Sequence, residues 1–121
     1  MTLMLACVRS AEEAETAIAG GCDIIDVIDP EAGATGWPAI DSVAEVVRAV
    51  AGRRPIWASA GGESWRPSDL RDRVEALAEA GVDGVKVALD SGAHWLEVVE
   101  AVAPLAEQTL LIAVLFADRQ T

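Results

Sequence analysis

The chain has 121 residues, with 9 Lys+Arg against 20 Asp+Glu for a formal net charge of -11, and is 52% hydrophobic and 24% charged. A hydrophobic fraction at or above the roughly 45–50% of ordinary globular chains excludes a disordered acidic tail and calls for a buried core. The cations are eight arginines and a single lysine, a balance that argues against nucleic acid or an anionic membrane surface as partner, because both are met by a basic footprint.

The opening MTLMLAC lacks the basic n-region of an export leader, so it reads as a first strand, Leu3 to Val8. Ser10 followed by Glu13 is a capping box that starts a helix over Ala11 to Ala19, and Gly20-Gly21 supplies its left-handed exit. A second strand is expected over Asp23 to Val27. Pro38 suits the first turn of a second helix, whose apolar face is Ile40, Val43, Val46, Val47 and Val50. The third strand is Pro55 to Ala60, and Ser68 is expected to cap a third helix with the stripe Leu70, Val74, Leu77 and Ala78. A fourth strand follows over Val82 to Leu89. The fourth helix runs from about Ala93 through Trp95, Val98, Val99 and Val102 to near Glu107, with Pro104 expected to kink or shorten it. The last strand is Thr109 to Ala117, and its apolar run is far shorter than the ~18 residues of a membrane span. Cys7 and Cys22 lie in strand-like apolar settings with no export signal, which points to reduced core thiols and a cytoplasmic protein.

Near-continuous apolar strands alternating with amphipathic helices specify an α/β fold with a parallel sheet covered by helices. An internal repeat refines this. Aligning Ala19–Asp29 with Glu79–Leu89 matches Gly21 with Gly81, Asp23 with Asp83 and Val27 with Val87, and pairs Asp26 with Lys86. In a parallel β/α barrel alternate strands fill the same interior layer, so Asp26 and Lys86 are expected to face each other inside it. The pleat also aims Ile28 and Ala88 inward, nearer the C-terminal mouth where such barrels keep their chemistry.

Lys86 interrupts an otherwise apolar strand. Burial disfavours an ammonium, which is how lysines become nucleophiles or proton carriers near neutral pH, and a facing carboxylate acts the other way. A structural ion pair is the alternative reading. The loop from Ile28 to Pro38 is long for a β-to-α connection and reads either as a mobile lid or as a surface turn with Trp37 packed beneath it. In the loop from Gly61 to Ser68, Arg66 beside glycines and a helix N-terminus suits a phosphate, against the alternative of a solvated arginine in a turn. His94 is expected at the surface or as a cap. No Cys/His cluster has metal-ligand spacing and no serine-hydrolase constellation occurs, so no metal is expected.

The capped first helix, the stretch GGCDIIDVIDPEAGATG, the segment ASAGGESWRP, the strand GVDGVKVAL and the closing LIAVLFAD together resemble the (5-formylfuran-3-yl)methyl phosphate synthase family, in order and over essentially the whole chain. The resemblance implies a TIM barrel that condenses two molecules of glyceraldehyde 3-phosphate into a furan aldehyde phosphate, with loss of phosphate and water, for methanofuran biosynthesis. It implies lysine Schiff-base chemistry with no cofactor. Carried over by position, Asp26 matches the family's active-site aspartate on strand two and Lys86 its proton-transfer lysine on strand four. The family's Schiff-base lysine stands where this chain has Ile28, which cannot form an imine. A further aspartate and lysine of the family fall beyond Thr121. Five strands and four helices are a little over half of a barrel, which typically takes about 250 residues. The expectation is therefore a partial barrel whose open edges pair with a second copy or with a partner chain, and a triose phosphate as the small-molecule partner.

Overall fold

The computed structural model describes residues 2–32, 36–61, 66–89 and 95–115, with Leu115 described by its backbone alone. The elements alternate strictly: β1 (Leu5–Val8), α1 (Ala11–Ala19), β2 (Ile24–Val27), α2 (Ile40–Val50), β3 (Ile56–Gly61), α3 (Pro67–Ala80), β4 (Gly84–Leu89), α4 (Trp95–Val102) with a 3-10 turn over Ala103–Glu107, and β5 (Leu110–Leu115). All pairings are parallel and the strand order is β1-β2-β3-β4-β5. This is the α/β fold that the strand–helix alternation predicts, in the partial TIM-barrel form that the resemblance implies.

Local chemistry accounts for most boundaries. Ser10 Oγ accepts from the Glu13 amide at 3.1 Å, while the Glu13 carboxylate reaches back one residue further than an ordinary capping box and accepts from the Arg9 amide at 2.7 Å. The left-handed exit of α1 falls on Gly21 alone, at φ 89°, because Gly20 stays right-handed at φ -80°. Two expected caps move. Ala39 is the N-cap of α2 without a side-chain bond, so Pro38 lies just before the helix and not in its first turn. The cap of α3 is Arg66, with Pro67 as the first helical residue, since a fixed φ and an absent N–H suit that position; Ser68 is already inside the helix. At the end of α4 the backbone tightens into the 3-10 turn at Ala103, where Pro104 cannot supply an α-helical hydrogen bond.

One face of the sheet packs against the helices. Ile25, Val27, Ala58 and Val85 are fully buried there against Val43, Val46, Leu70, Val74 and Leu77. By strand alternation the opposite, concave face carries Cys7, Asp26, Trp57, Ser59, Lys86 and Ile112. The repeat has a structural meaning: the Asp23 carboxylate accepts from the Met4 amide at 2.7 Å and the Asp83 carboxylate from the Ile56 amide at 2.9 Å, so each ties the start of its strand to the preceding one. Gly21 and Gly81 both adopt left-handed φ values, 89° and 102°, to bring those aspartates round. Gly84 leaves room for its neighbour in register, because a Cβ there would stand 2.7 Å from Trp57 Cδ1.

Candidate functional site

Asp26 and Lys86 lie on β2 and β4 with β3 between them. Asp26 is level with Trp57 and Gly84, whereas Lys86 is level with Ser59 and Ile112, two residues further along. That stagger of one residue per strand is the one an eight-stranded barrel uses to put alternate strands in one layer. Lys86 Nζ donates to Asp26 Oδ2 at 2.5 Å. The side chain of Asp26 is 3% exposed and that of Lys86 20% exposed, so the lysine can still reach the open concave face.

The pair is not closed. Asp26 Oδ1 is buried with no hydrogen-bond partner among the described residues. Burial pushes the Asp26 carboxyl above its ordinary value, outweighing the lysine beside it and the weaker Cys7 contact, both of which act downward. The Cys7 thiol approaches Asp26 Oδ2 at 3.8 Å and is held protonated, first by burial and then by the Asp26 charge. Cys7 is therefore no core thiol: it is exposed on the concave face, whereas Cys22 is buried, and both are free. The sequence signal for its place beside Asp26 is its inward, period-2 position on β1. Ser59, 3% exposed, is level with Lys86 on the same face. A register shift between Ser59 and Gly61 bulges β3 at this point.

The remaining candidates lie apart from the pair. Ile28 follows β2, its amide bonded to the Val8 carbonyl at 2.9 Å, and it borders a cavity of about 250 Å³ with Arg9, Asp29, Glu31, Pro38, Ala39 and Ser42. Arg66 is 81% exposed and bonded to Asp69 at 3.0 Å, so its guanidinium already faces a carboxylate. The described ends of the long loop are pinned: the Asp29 amide donates to the Gly36 carbonyl at 2.8 Å, and Arg73 donates to the Pro38 carbonyl. Trp37 is 36% exposed, with the Arg73 guanidinium 5.4 Å from its ring centre. His94 and residues 62–65 of the loop before α3 lie outside the described residues. Among the described residues no group of three or more His, Cys, Asp or Glu could hold a metal ion, and no helix is long and apolar enough to cross a membrane.

Fold and site together define an open portion of a parallel β/α barrel with a lysine–carboxylate pair on its concave face. Residues 4–121 match the model of the 4-HFC-P synthase family, and the chain belongs to that family. A Methylorubrum extorquens protein provisionally named (5-formylfuran-3-yl)methyl phosphate synthase is 36% identical over 115 residues, 95% of this chain and 47% of the relative. The (5-formylfuran-3-yl)methyl phosphate synthase of Methanosarcina mazei is 37% identical over 89 residues, 74% of this chain and 38% of the relative. Among solved structures, oxaloacetate acetylhydrolase in complex with the product oxalate superposes with a TM-score of 0.76 at 17% identity, over 95% of this chain and 49% of that one. A 2,3-dimethylmalate lyase superposes at 0.73 and 14% identity, over 94% and 47%. At those identities the structures share the fold alone. The chain spans about half the length, or less, of the curated relatives it matches.

Proposed function

We propose that this chain contributes the Lys86–Asp26 half of a lyase site that makes a furan aldehyde phosphate, as the name of its relatives suggests, by condensing glyceraldehyde 3-phosphate, as the sequence resemblance implies, and that it works in the cytoplasm without a cofactor. The 2.5 Å contact between Lys86 and Asp26 carries this reading. An ammonium cannot attack a carbonyl, so the amine must first pass on a proton. Asp26 is within reach, and burial raises its affinity for that proton. Attack of the freed amine on the aldehyde, with loss of water, would give an imine at Lys86; with another amine as nucleophile, the same pair would relay protons. Arg66 is the proposed phosphate contact, at the N-terminus of α3, once phosphate displaces the Asp69 carboxylate. Incubation with glyceraldehyde 3-phosphate and borohydride, followed by peptide mass spectrometry, is expected to give a reduced adduct at Lys86. No adduct there and no furan product would sink the catalytic reading.

Ile28, standing where the resemblance puts the family's Schiff-base lysine, favours a second reading: a non-catalytic half-barrel that assembles with itself or with another chain. Exposed Leu3, Met4, Leu5 and Leu110 at the β1 and β5 sides support such assembly. So does an apolar cavity of about 260 Å³ between β4, β5 and α4, lined by Val87, Leu89, Val99, Val102 and Leu111 among others. A monodisperse monomer at micromolar concentration in light scattering would count against it.

A further inference from the structure

We propose that Arg73 is a positioning residue that fixes the β2–α2 segment, and with it one wall of the cavity beside Ile28. Arg73 lies in the first half of α3, half-buried, and among the described residues no carboxylate pairs with it. Its guanidinium is spent on one segment 35 residues away in sequence: it donates to the Pro38 carbonyl and stands 5.4 Å from the Trp37 ring centre. Burial lowers its proton affinity, and its Nε is buried without a hydrogen-bond partner. A cation is seldom left buried without a carboxylate, because desolvation opposes it. The carbonyl and the ring face are what compensate it, so the two contacts act as one clamp.

Only a planar guanidinium can lie over an aromatic ring and donate in its own plane at once; a lysine offers a point charge and cannot do both. Pro38 is the shared element, since its carbonyl is held by Arg73 and the residue also lines the cavity of about 250 Å³ with Ile28, Asp29, Arg9 and Ser42. Earlier in the same segment the Asp29 amide donates to the Gly36 carbonyl at 2.8 Å and the Asp29 carboxylate accepts from the Glu31 amide at 3.0 Å. The clamp therefore acts on a segment that starts two residues after Asp26 and returns beside its own origin.

Hydrogen exchange tests this directly. In Arg73→Met, which keeps the apolar stem, the amides of Asp29 and Ala32 are expected to exchange about tenfold faster or more, while the Ile25 amide in β2 stays within about twofold. Trp37→Leu attacks the clamp from the loop side at a partly exposed residue and is expected to give the same local pattern. Arg73→Lys is expected not to restore protection. A uniform rise across β2, α2 and α3, no change at Asp29 and Ala32, or full protection with lysine would overturn the proposal. The clamp stands independently of the proposed lyase reading, whose own test is adduct formation at Lys86 with triose phosphate and borohydride. Failure of that reading leaves wild-type protein without adduct and the exchange pattern intact; failure of the clamp leaves the adduct and removes the pattern.

Discussion

Asp26 and Lys86 are unequal partners, and the inequality makes their energetics testable. The lysine tip can turn toward the open concave face, whereas the carboxylate is almost wholly enclosed. Removing the lysine leaves a buried charge uncompensated, so Lys86→Met is expected to cost about 3–5 kcal/mol in denaturant unfolding, and Asp26→Asn distinctly less. The double replacement is expected to recover most of the loss, because a neutral pair carries no desolvation penalty. The Asp26 carboxyl binds its proton more tightly folded than unfolded, so the folded state holds more protons in a window opening at the ordinary value of 3.8 and extending upward. Stability contributed by this group is full below that window and falls as pH rises through it. Asp26→Asn is expected to flatten that slope, as unfolding midpoints measured across the window would show. The same substitution removes the negative charge facing Cys7, so alkylation of Cys7 at neutral pH, followed by mass spectrometry, is expected to accelerate.

At the scale of elements, the repeat was legible because each of its residues has a local job. Gly21 and Gly81 turn the chain in the left-handed region, and Asp23 and Asp83 bond the amide that opens the preceding strand. The Ser10 cap was equally plain, and Ser10→Ala is expected to lower stability by about 1 kcal/mol in thermal or denaturant melts. The starts of α2 and α3 are not legible in sequence, because proline fixes φ without stating how far from it a helix begins and no side chain caps either start. Gly84 had no sequence signal, since its role depends on Trp57 from another strand. Gly84→Ala is expected to cost about 1–3 kcal/mol by driving Trp57 from its place, with a matching change in tryptophan fluorescence.

At the scale of the molecule, five parallel strands with open edges meet an acidic surface and a run of exposed apolar side chains on the β1 and β5 sides. Leu110, 56% exposed at the start of β5, is a direct probe of association through that edge. Leu110→Glu is expected to shift the protein toward monomer in light scattering while leaving its circular dichroism unchanged. The strand–helix alternation and the facing of Asp26 and Lys86 were determined by sequence alone, because the period of the pleat and the repeat both act locally and propagate through one regular barrel geometry. Tertiary structure decided what depends on residues distant in the chain. It placed Cys7 beside Asp26 and carried Arg73 to Trp37 and Pro38. Each of these contacts follows from where a side chain lands once its helix or strand has packed, which composition and periodicity do not encode.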